Sequence, residues 1–134
     1  MSRLVILAVV SAGLAGCAPA YVEPIPTRAA MRFDSELSGL TPGRSQTCLP
    51  PRSTASVVAA RGDTLLFREG RTVYVNKTRG DCAEAADSNY ALVTKNFGTG
   101  ALCNGTFAQV VDLTAGGMMR GSCVLGDFTP YRRP

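Results

Sequence analysis

The chain has 134 residues, and its fourteen basic and ten acidic side chains give a formal net charge of +4. That length suits one domain with a modest core, and the charge is too small to indicate nucleic-acid binding. The absence of histidine excludes the Ser-His-Asp and Cys-His catalytic arrangements and any metal site built on histidine. We therefore expect no nucleic-acid partner and no cofactor.

The N-terminus has the parts of a secretory signal. Residues 1–3 are a short positive start, and residues 4–16 form a run without a charged side chain. That run is too short for a membrane span, which needs about 20 apolar residues, but it suits the apolar part of a signal peptide. It ends in "LAGC" at residues 14–17, which resembles the lipobox of bacterial lipoproteins. The resemblance implies a signal peptide of residues 1–16, cleavage before Cys17, and lipid on the Cys17 sulfur and amino group.

A lipid on Cys17 also predicts where the protein resides. One acyl chain binds a bilayer only marginally, whereas two or more hold a protein stably. In the lipoproteins that this N-terminus resembles, aspartate after the cysteine signals retention in the inner membrane, and here Ala18 follows instead. We therefore predict a lipid-anchored protein on the periplasmic face of the bacterial outer membrane. The alternative is an ordinary signal peptide in which Cys17 occurs by chance.

Residues 17–46 have the composition of a tether. Six of the eight prolines fall between Pro19 and Pro51, and proline with small polar residues indicates an extended, flexible segment. Within it, residues 29–40 carry only a weak pattern of a short helix or strand. The expected boundaries are thus 17–46 for the lipidated cysteine and tether and 47–134 for a folded β domain.

The β domain begins with a predicted meander. The strands "STASVVAA", "TLLFR" and "TVYVN" are separated by turns at Gly62 and Gly70, a pattern typical of successive hairpins. If Gly70 centres the second turn, alternation divides the side chains between two faces. The face predicted to be core carries Leu65, Phe67, Val73 and Val75. The opposite face carries Leu66, Arg68, Thr72 and Tyr74.

Three further strands are predicted in "YALVTKNF", "TFAQVVDL" and "MMRGSCVLGDF", with a hairpin turn at residues 114–117 between the last two. Only "CAEAADSNY" has helical character. The pattern therefore predicts an all-β fold, a small disulfide-stapled antiparallel sandwich or barrel of five to six strands with at most one short helix.

The four remaining cysteines predict two disulfide bonds. Cys48, Cys82, Cys103 and Cys123 are an even number in an oxidising compartment, and none forms the close pair that metal sites use. Four cysteines allow three pairings. We favour Cys48–Cys82, which would clip the ends of the meander, and Cys103–Cys123, which would clip the last hairpin.

The face that carries Leu66, Arg68, Thr72 and Tyr74 is the predicted partner surface. A leucine and a tyrosine beside an arginine have the composition of a protein interface. The alternative is that a second sheet or the chain's own N-terminal segment covers this face.

Three carboxylates are the only candidates for an enzyme. Asp81, Glu84 and Asp87 lie in "DCAEAAD" and would share one face of a short helix, as a carboxylate-dependent mechanism requires. Their spacing matches no calcium-binding loop. The alternative is a solvated acidic loop, and we expect a protein that is not an enzyme.

Three segments, "GRTVYVNKTRGDC", "ALCNGTFAQVVDL" and "GSCVLGDFTPYRR", resemble an uncharacterised family of small bacterial secreted and lipid-anchored proteins with four spaced cysteines. The resemblance runs from about Cys48 to Arg133. It implies the cysteine framework and the domain boundary, and it brings no activity, ligand or catalytic residue.

Together these patterns predict an outer-membrane lipoprotein of the periplasm that acts as a binding or structural module. The expected partners are the membrane, through Cys17, and an envelope protein. One alternative is an inhibitor or accessory subunit of an envelope enzyme or transport complex. The other is a carboxylate-dependent enzyme.

Overall fold

The computed structural model describes residues 28–51, 53–95 and 100–134, so Cys17 and the predicted signal lie outside the described residues. These residues form two antiparallel sheets, one α-helix and one 3₁₀ turn. The elements are α1 (Arg28–Leu37), β1 (Thr41–Pro42), β2 (Ser56–Arg61), β3 (Thr64–Glu69), β4 (Thr72–Lys77), β5 (Arg79–Gly80), the 3₁₀ turn (Ala83–Ala86), β6 (Tyr90–Thr94), β7 (Phe107–Asp112), β8 (Met118–Val124) and β9 (Phe128–Arg132). In the described part of the chain, no helix has the length and hydropathy to cross a membrane.

The two sheets confirm the predicted all-β, disulfide-containing fold. The first sheet has the strand order β1-β9-β4-β3-β2, and the second has the order β5-β8-β7-β6. The described residues contain nine strands rather than five or six, and two of the nine have only two residues. One strand was added because the predicted strand "MMRGSCVLGDF" divides after Val124, so that β8 belongs to the second sheet and β9 to the first.

The β3–β4 turn corrects the predicted register. Glu69 pairs with Thr72, so the loop has only two residues, Gly70 and Arg71, and Phe67 lies opposite Tyr74. Gly70 has a φ of 57°, which suits the two-residue turns whose twist matches that of the strands. A shift of one residue moves every side chain of a strand to the other face. The predicted faces of β3 are therefore right, and those of β4 are exchanged.

The main core lies between the sheets. The rings of Phe67 and Phe128 meet edge to face, with centroids 5.6 Å apart. Ala108 and Val110 of β7 close the core from the second sheet. Burial of these side chains is the main stabilising contribution, at roughly 25 cal/mol for each Å² of apolar surface removed from water.

A second apolar cluster lies on the outer face of the first sheet, beneath α1. Phe33 and Leu37, four positions apart on one side of the helix, pack against Leu66 and Val73. An ion pair joins Arg68 to Glu36 on the helix. The helix forms because the spacing of its apolar residues presents one stripe to the sheet.

The predicted tether is therefore too long. Besides α1, β1 pairs with β9, and Gln46 forms an isolated bridge with Phe128. Residues 28–46 belong to the folded domain, because the outer face of the first sheet carries apolar side chains that require a cover. Residues 17–27 of the predicted tether lie outside the described residues.

The predicted disulfide pairing is wrong. The bonds join Cys48 to Cys103 and Cys82 to Cys123. After β4 the chain crosses to the second sheet, where β5 pairs with the end of β8. This crossover carries Cys82 away from the meander and places it beside Cys123, so Cys48 bonds instead to Cys103, its partner in an isolated bridge.

Candidate functional site

The predicted partner surface is largely covered by the rest of the domain. Tyr74 is only 3% exposed and Leu66 is fully buried. Tyr74 packs in the core between the sheets because of the corrected register of β4, and Leu66 lies under α1. Of the two polar members, Arg68 pairs with Glu36, and the Thr72 hydroxyl accepts a hydrogen bond from Arg132. The structure supports both parts of the alternative: the chain's own N-terminal segment covers Leu66, and the second sheet covers Tyr74.

Each of the three candidate carboxylates interacts with a different partner, and the three do not form a common site. Asp81 accepts the N–H of Ala83 at 3.4 Å, and Asp87 accepts the N–H of Asn89 at 2.9 Å. Glu84 forms an ion pair with Arg120 at 3.7 Å. All three side chains are exposed, and no cluster of three His, Cys, Asp or Glu residues able to hold a metal occurs in the described residues. Asp81 and Asp87 therefore stabilise turns, and Glu84 takes part in a surface ion pair.

The surface that does stand out is the outer face of the second sheet. Along β7 the side chains alternate, so that Ala108 and Val110 point into the core while Phe107 and Val111 point outward. Pairing with β6 and β8 extends each row across the sheet. We call this surface the apolar face; it comprises Ala91, Val93, Phe107, Gln109, Val111, Met119, Ser122 and Val124.

The apolar face exposes large side chains to solvent. Val93 is 43% exposed, Phe107 47% and Met119 62%. None of the eight members is charged, and Arg79 lies at the edge of the face, opposite Val124. Scattered exposed apolar residues are ordinary, whereas apolar side chains gathered on one face are often part of a functional surface. Phenylalanine and methionine without lysine or glutamate are also the composition of interface centres.

Hydrogen bonds order the polar part of this region. The Gln109 side-chain amide donates to the Met119 sulfur at 2.9 Å, which holds both side chains against the sheet. At the β7–β8 turn, Asp112 accepts bonds from the Thr114 hydroxyl, at 2.7 Å, and from the backbone N–H groups of Thr114 and Ala115. These bonds, the Thr114 hydroxyl first, lower the pKa of Asp112. These bonds join the end of β7 to the turn that bounds the face.

A signal for this face was present in the sequence. Along "TFAQVVDL" the side chains on both faces of the strand are largely apolar. Phe107 and Val111 lie in one row, and Ala108 and Val110 lie in the other. A strand that is buried on both faces has this pattern, and so does a strand whose outer face binds a partner. The pattern alone does not distinguish these cases, and the pairing of the sheets does.

Comparison with protein-family models, curated proteins and solved structures gave no match to this chain. The resemblance to small cysteine-containing lipoproteins remains a prediction. A function must therefore follow from the surfaces that the residues form.

Proposed function

We propose that this chain is a lipoprotein of the bacterial outer membrane, anchored by lipid on Cys17, whose periplasmic β domain binds an envelope protein. The docking site is the apolar face of the second sheet. The observation that carries the proposal is the exposure of Val93, Phe107 and Met119 on one uncharged sheet surface. The role is that of a binding module.

The anchor is supported by the sequence "LAGC" at the end of an uncharged run. The folded domain is described from Arg28, eleven positions after Cys17. A fully extended chain of that length spans at most about 36–40 Å. A lipid on Cys17 would therefore keep the domain close to the bilayer, where its partners would be proteins of the same membrane.

The size of the apolar face fits a tethered interaction. Its three longer strands have five to seven residues, so with the usual strand spacings the face measures roughly 15 by 20 Å, or about 300 Å². A stable complex of two free proteins buries about 800 Å² on each partner. The face alone is too small for such a complex. Confinement to one membrane raises the effective concentration of the partners and compensates for a small interface.

Charge at the rim indicates what the partner carries. Arg79 adjoins the face at β5, where it pairs with Val124. A partner patch that is apolar at its centre and acidic at its edge would complement this arrangement. A bilayer surface is a poorer occupant, because binding to anionic lipid relies on basic residues across the docking surface.

Binding of this kind is what an accessory subunit or an inhibitor of an envelope enzyme or transport complex would use. The chain's lack of histidine and the separate engagement of Asp81, Glu84 and Asp87 support a binding role over a carboxylate-dependent enzyme. The proposal includes no cofactor and no nucleic-acid partner.

Photo-crosslinking in intact cells tests the docking site. A photoreactive residue replaces Met119 in one variant and Met31 in another. Met31 lies on α1 and is 56% exposed, close to the 62% of Met119, so it is a matched control. We expect one adduct of defined mass, containing an envelope protein, from position 119 and none from position 31. No adduct at 119, or equal adducts at both positions, would contradict the proposal.

A second variant separates docking from proximity. Phe107→Ser, placed in the protein that carries the probe at 119, should abolish the adduct while the domain stays folded with only a small drop in melting temperature, because about half of Phe107 is exposed. An adduct with the mass of two copies of this chain would identify self-association instead and would refute an envelope partner.

A further inference from the structure

A concave site lies on the opposite side of the domain from the apolar face. It is a cleft of about 720 Å³ between the end of α1 and the β3–β4 turn. Four arginines line it, namely Arg68, Arg71, Arg132 and Arg133, against one acidic residue, Glu36. We call it the arginine cleft. This concentration of positive charge is out of proportion to a chain whose formal net charge is +4.

The single carboxylate of the arginine cleft is already neutralised. Glu36 pairs with Arg68, and its side chain is only 15% exposed. Glu69, which adjoins the β3–β4 turn in sequence, accepts the N–H of Thr54 at 3.2 Å and does not line the cleft. Within the described residues, no carboxylate lies within 4 Å of the guanidinium groups of Arg71, Arg132 or Arg133. Among the described residues, these three positive charges therefore have no counter-ion.

One of these arginines is held in place. The Arg132 Nε donates to the Thr72 hydroxyl at 3.2 Å, which leaves its terminal nitrogens as donors. Leu40 and Val73 provide apolar walls, and Ser38 adds a hydroxyl. The C-terminal end of α1 opposes an anion with only about half a negative charge. The positive charges of the three guanidinium groups outweigh this partial negative charge of the helix end.

We propose that the arginine cleft binds a phosphate group, with Arg71, Arg132 and Arg133 as its donors. Guanidinium groups present paired N–H donors that match phosphate oxygens. A phosphomonoester carries a charge of about −1.5 to −2 at neutral pH, which balances most of the excess in the cleft, whereas one carboxylate would leave two arginines unpaired. The phosphate belongs either to a soluble phosphorylated compound or to a lipid headgroup, whose acyl carbons would contact Leu40 and Val73.

Binding is measured with the full mature chain in uncharged detergent micelles, by nuclear magnetic resonance of the arginine Nε–H groups. The probes are glycerol 3-phosphate and dihexanoyl phosphatidic acid, which share the phosphomonoester and differ in acyl chains. We expect Arg71→Gln with Arg133→Gln to weaken binding roughly tenfold or more, because it removes two of the three charge-assisted donors. Neither side chain has a hydrogen bond or ion pair within the described residues, so folding should be unaffected.

The control is a double variant with the same loss of charge elsewhere. Arg28→Gln with Arg44→Gln removes two exposed arginines that do not line the arginine cleft, and it should leave the affinity unchanged. Equal weakening in both double variants would reveal only long-range attraction and would overturn the proposal. So would unchanged affinity in Arg71→Gln with Arg133→Gln, or no binding of either probe to the native chain.

Two further measurements complete the test. Arg132→Gln alone should also weaken binding of both probes, because it removes one of the three donors without altering the other two arginines, and unchanged affinity in this variant would overturn the assignment of Arg132 as a donor. Tighter binding of the phosphatidic acid identifies a lipid headgroup as the ligand, and equal binding of the two probes identifies a soluble phosphorylated compound.

Discussion

Asn76 and Gly126 are joined by a reciprocal pair of hydrogen bonds at the corner where the chain passes from one sheet to the other. The Asn76 Nδ2 donates to the Gly126 carbonyl at 2.8 Å, and its Oδ1 accepts the Gly126 N–H at 3.1 Å. Asn76 is fully buried. A side chain at position 126 would clash with the Lys77 carbonyl, so glycine allows this close approach. The pair fixes the corner between β8 and β9.

Asn76→Ala should therefore destabilise the domain by about 2–4 kcal/mol, because it leaves partly buried backbone groups of Gly126 without their side-chain partners and removes a fully buried side chain. Urea unfolding with the disulfides intact measures the change. Asn104→Ala is the control: Asn104 also bonds to this corner, through the Asp127 carboxylate at 2.8 Å, but it is exposed. That variant should lose about 0.5 kcal/mol or less. Equal losses in the two variants would contradict the role of the buried pair.

The disulfide pairing has a direct chemical readout. Proteolysis without reduction should release one peptide pair joined through Cys48 and Cys103 and another joined through Cys82 and Cys123. Each bond closes a loop that lowers the entropy of the unfolded chain, a stabilisation of about 4 kcal/mol on the loop-closure model. A peptide that joins Cys48 to Cys82 would show that the strand order described here is wrong.

The packing of α1 against the first sheet is tested by removing the apolar side chains of α1 that contact the sheet. Phe33→Ala with Leu37→Ala should cost about 2–4 kcal/mol of unfolding free energy, because it uncovers Leu66 and Val73. Met31→Ala is the control, since Met31 is 56% exposed on the same helix, and it should change stability by about 0.5 kcal/mol or less. If the double variant is as stable as the native chain, residues 28–40 are a tether after all.

Acid should weaken the β7–β8 hairpin. Hydrogen bonds from Thr114 lower the pKa of Asp112 in the folded state, so the unfolded chain takes up the proton first as the pH falls. The stabilisation is present above the unfolded pKa of about 4 and is lost as the pH falls through the lower, folded value. Asp112→Asn should remove this part of the acid dependence. Identical stability-against-pH curves for the native chain and Asp112→Asn would contradict the assignment.

The outcome for β3 and β4 shows how far alternation predicts structure. Leu65 and Phe67 were placed correctly in the core, because their row of β3 holds two large apolar side chains, whereas the other row holds Thr64, Leu66 and Arg68. In β4, Val73, Tyr74 and Val75 are all apolar, so alternation cannot say which row faces inward. The length of the turn decides the register, and a turn of two rather than three residues exchanged the faces.

The disulfide pairing and the docking site depended on long-range arrangement. Nothing in the residues between Lys77 and Asp81 marks the crossover to the second sheet, yet that crossover places Cys82 beside Cys123. The same pairing of strands decides that Phe107 is exposed and Tyr74 is buried. Local patterns therefore predicted the class of fold, and sheet assembly determined which surface is free to bind.

The most direct test of the account is the mass of the N-terminal peptide of the native protein, isolated from cell membranes. We expect a peptide that begins at Cys17 and carries a diacylglyceryl thioether and an acylated amino group. A mature chain that begins at any other residue, or a Cys17 with an unmodified thiol, would contradict the membrane anchor on which the proposed function rests.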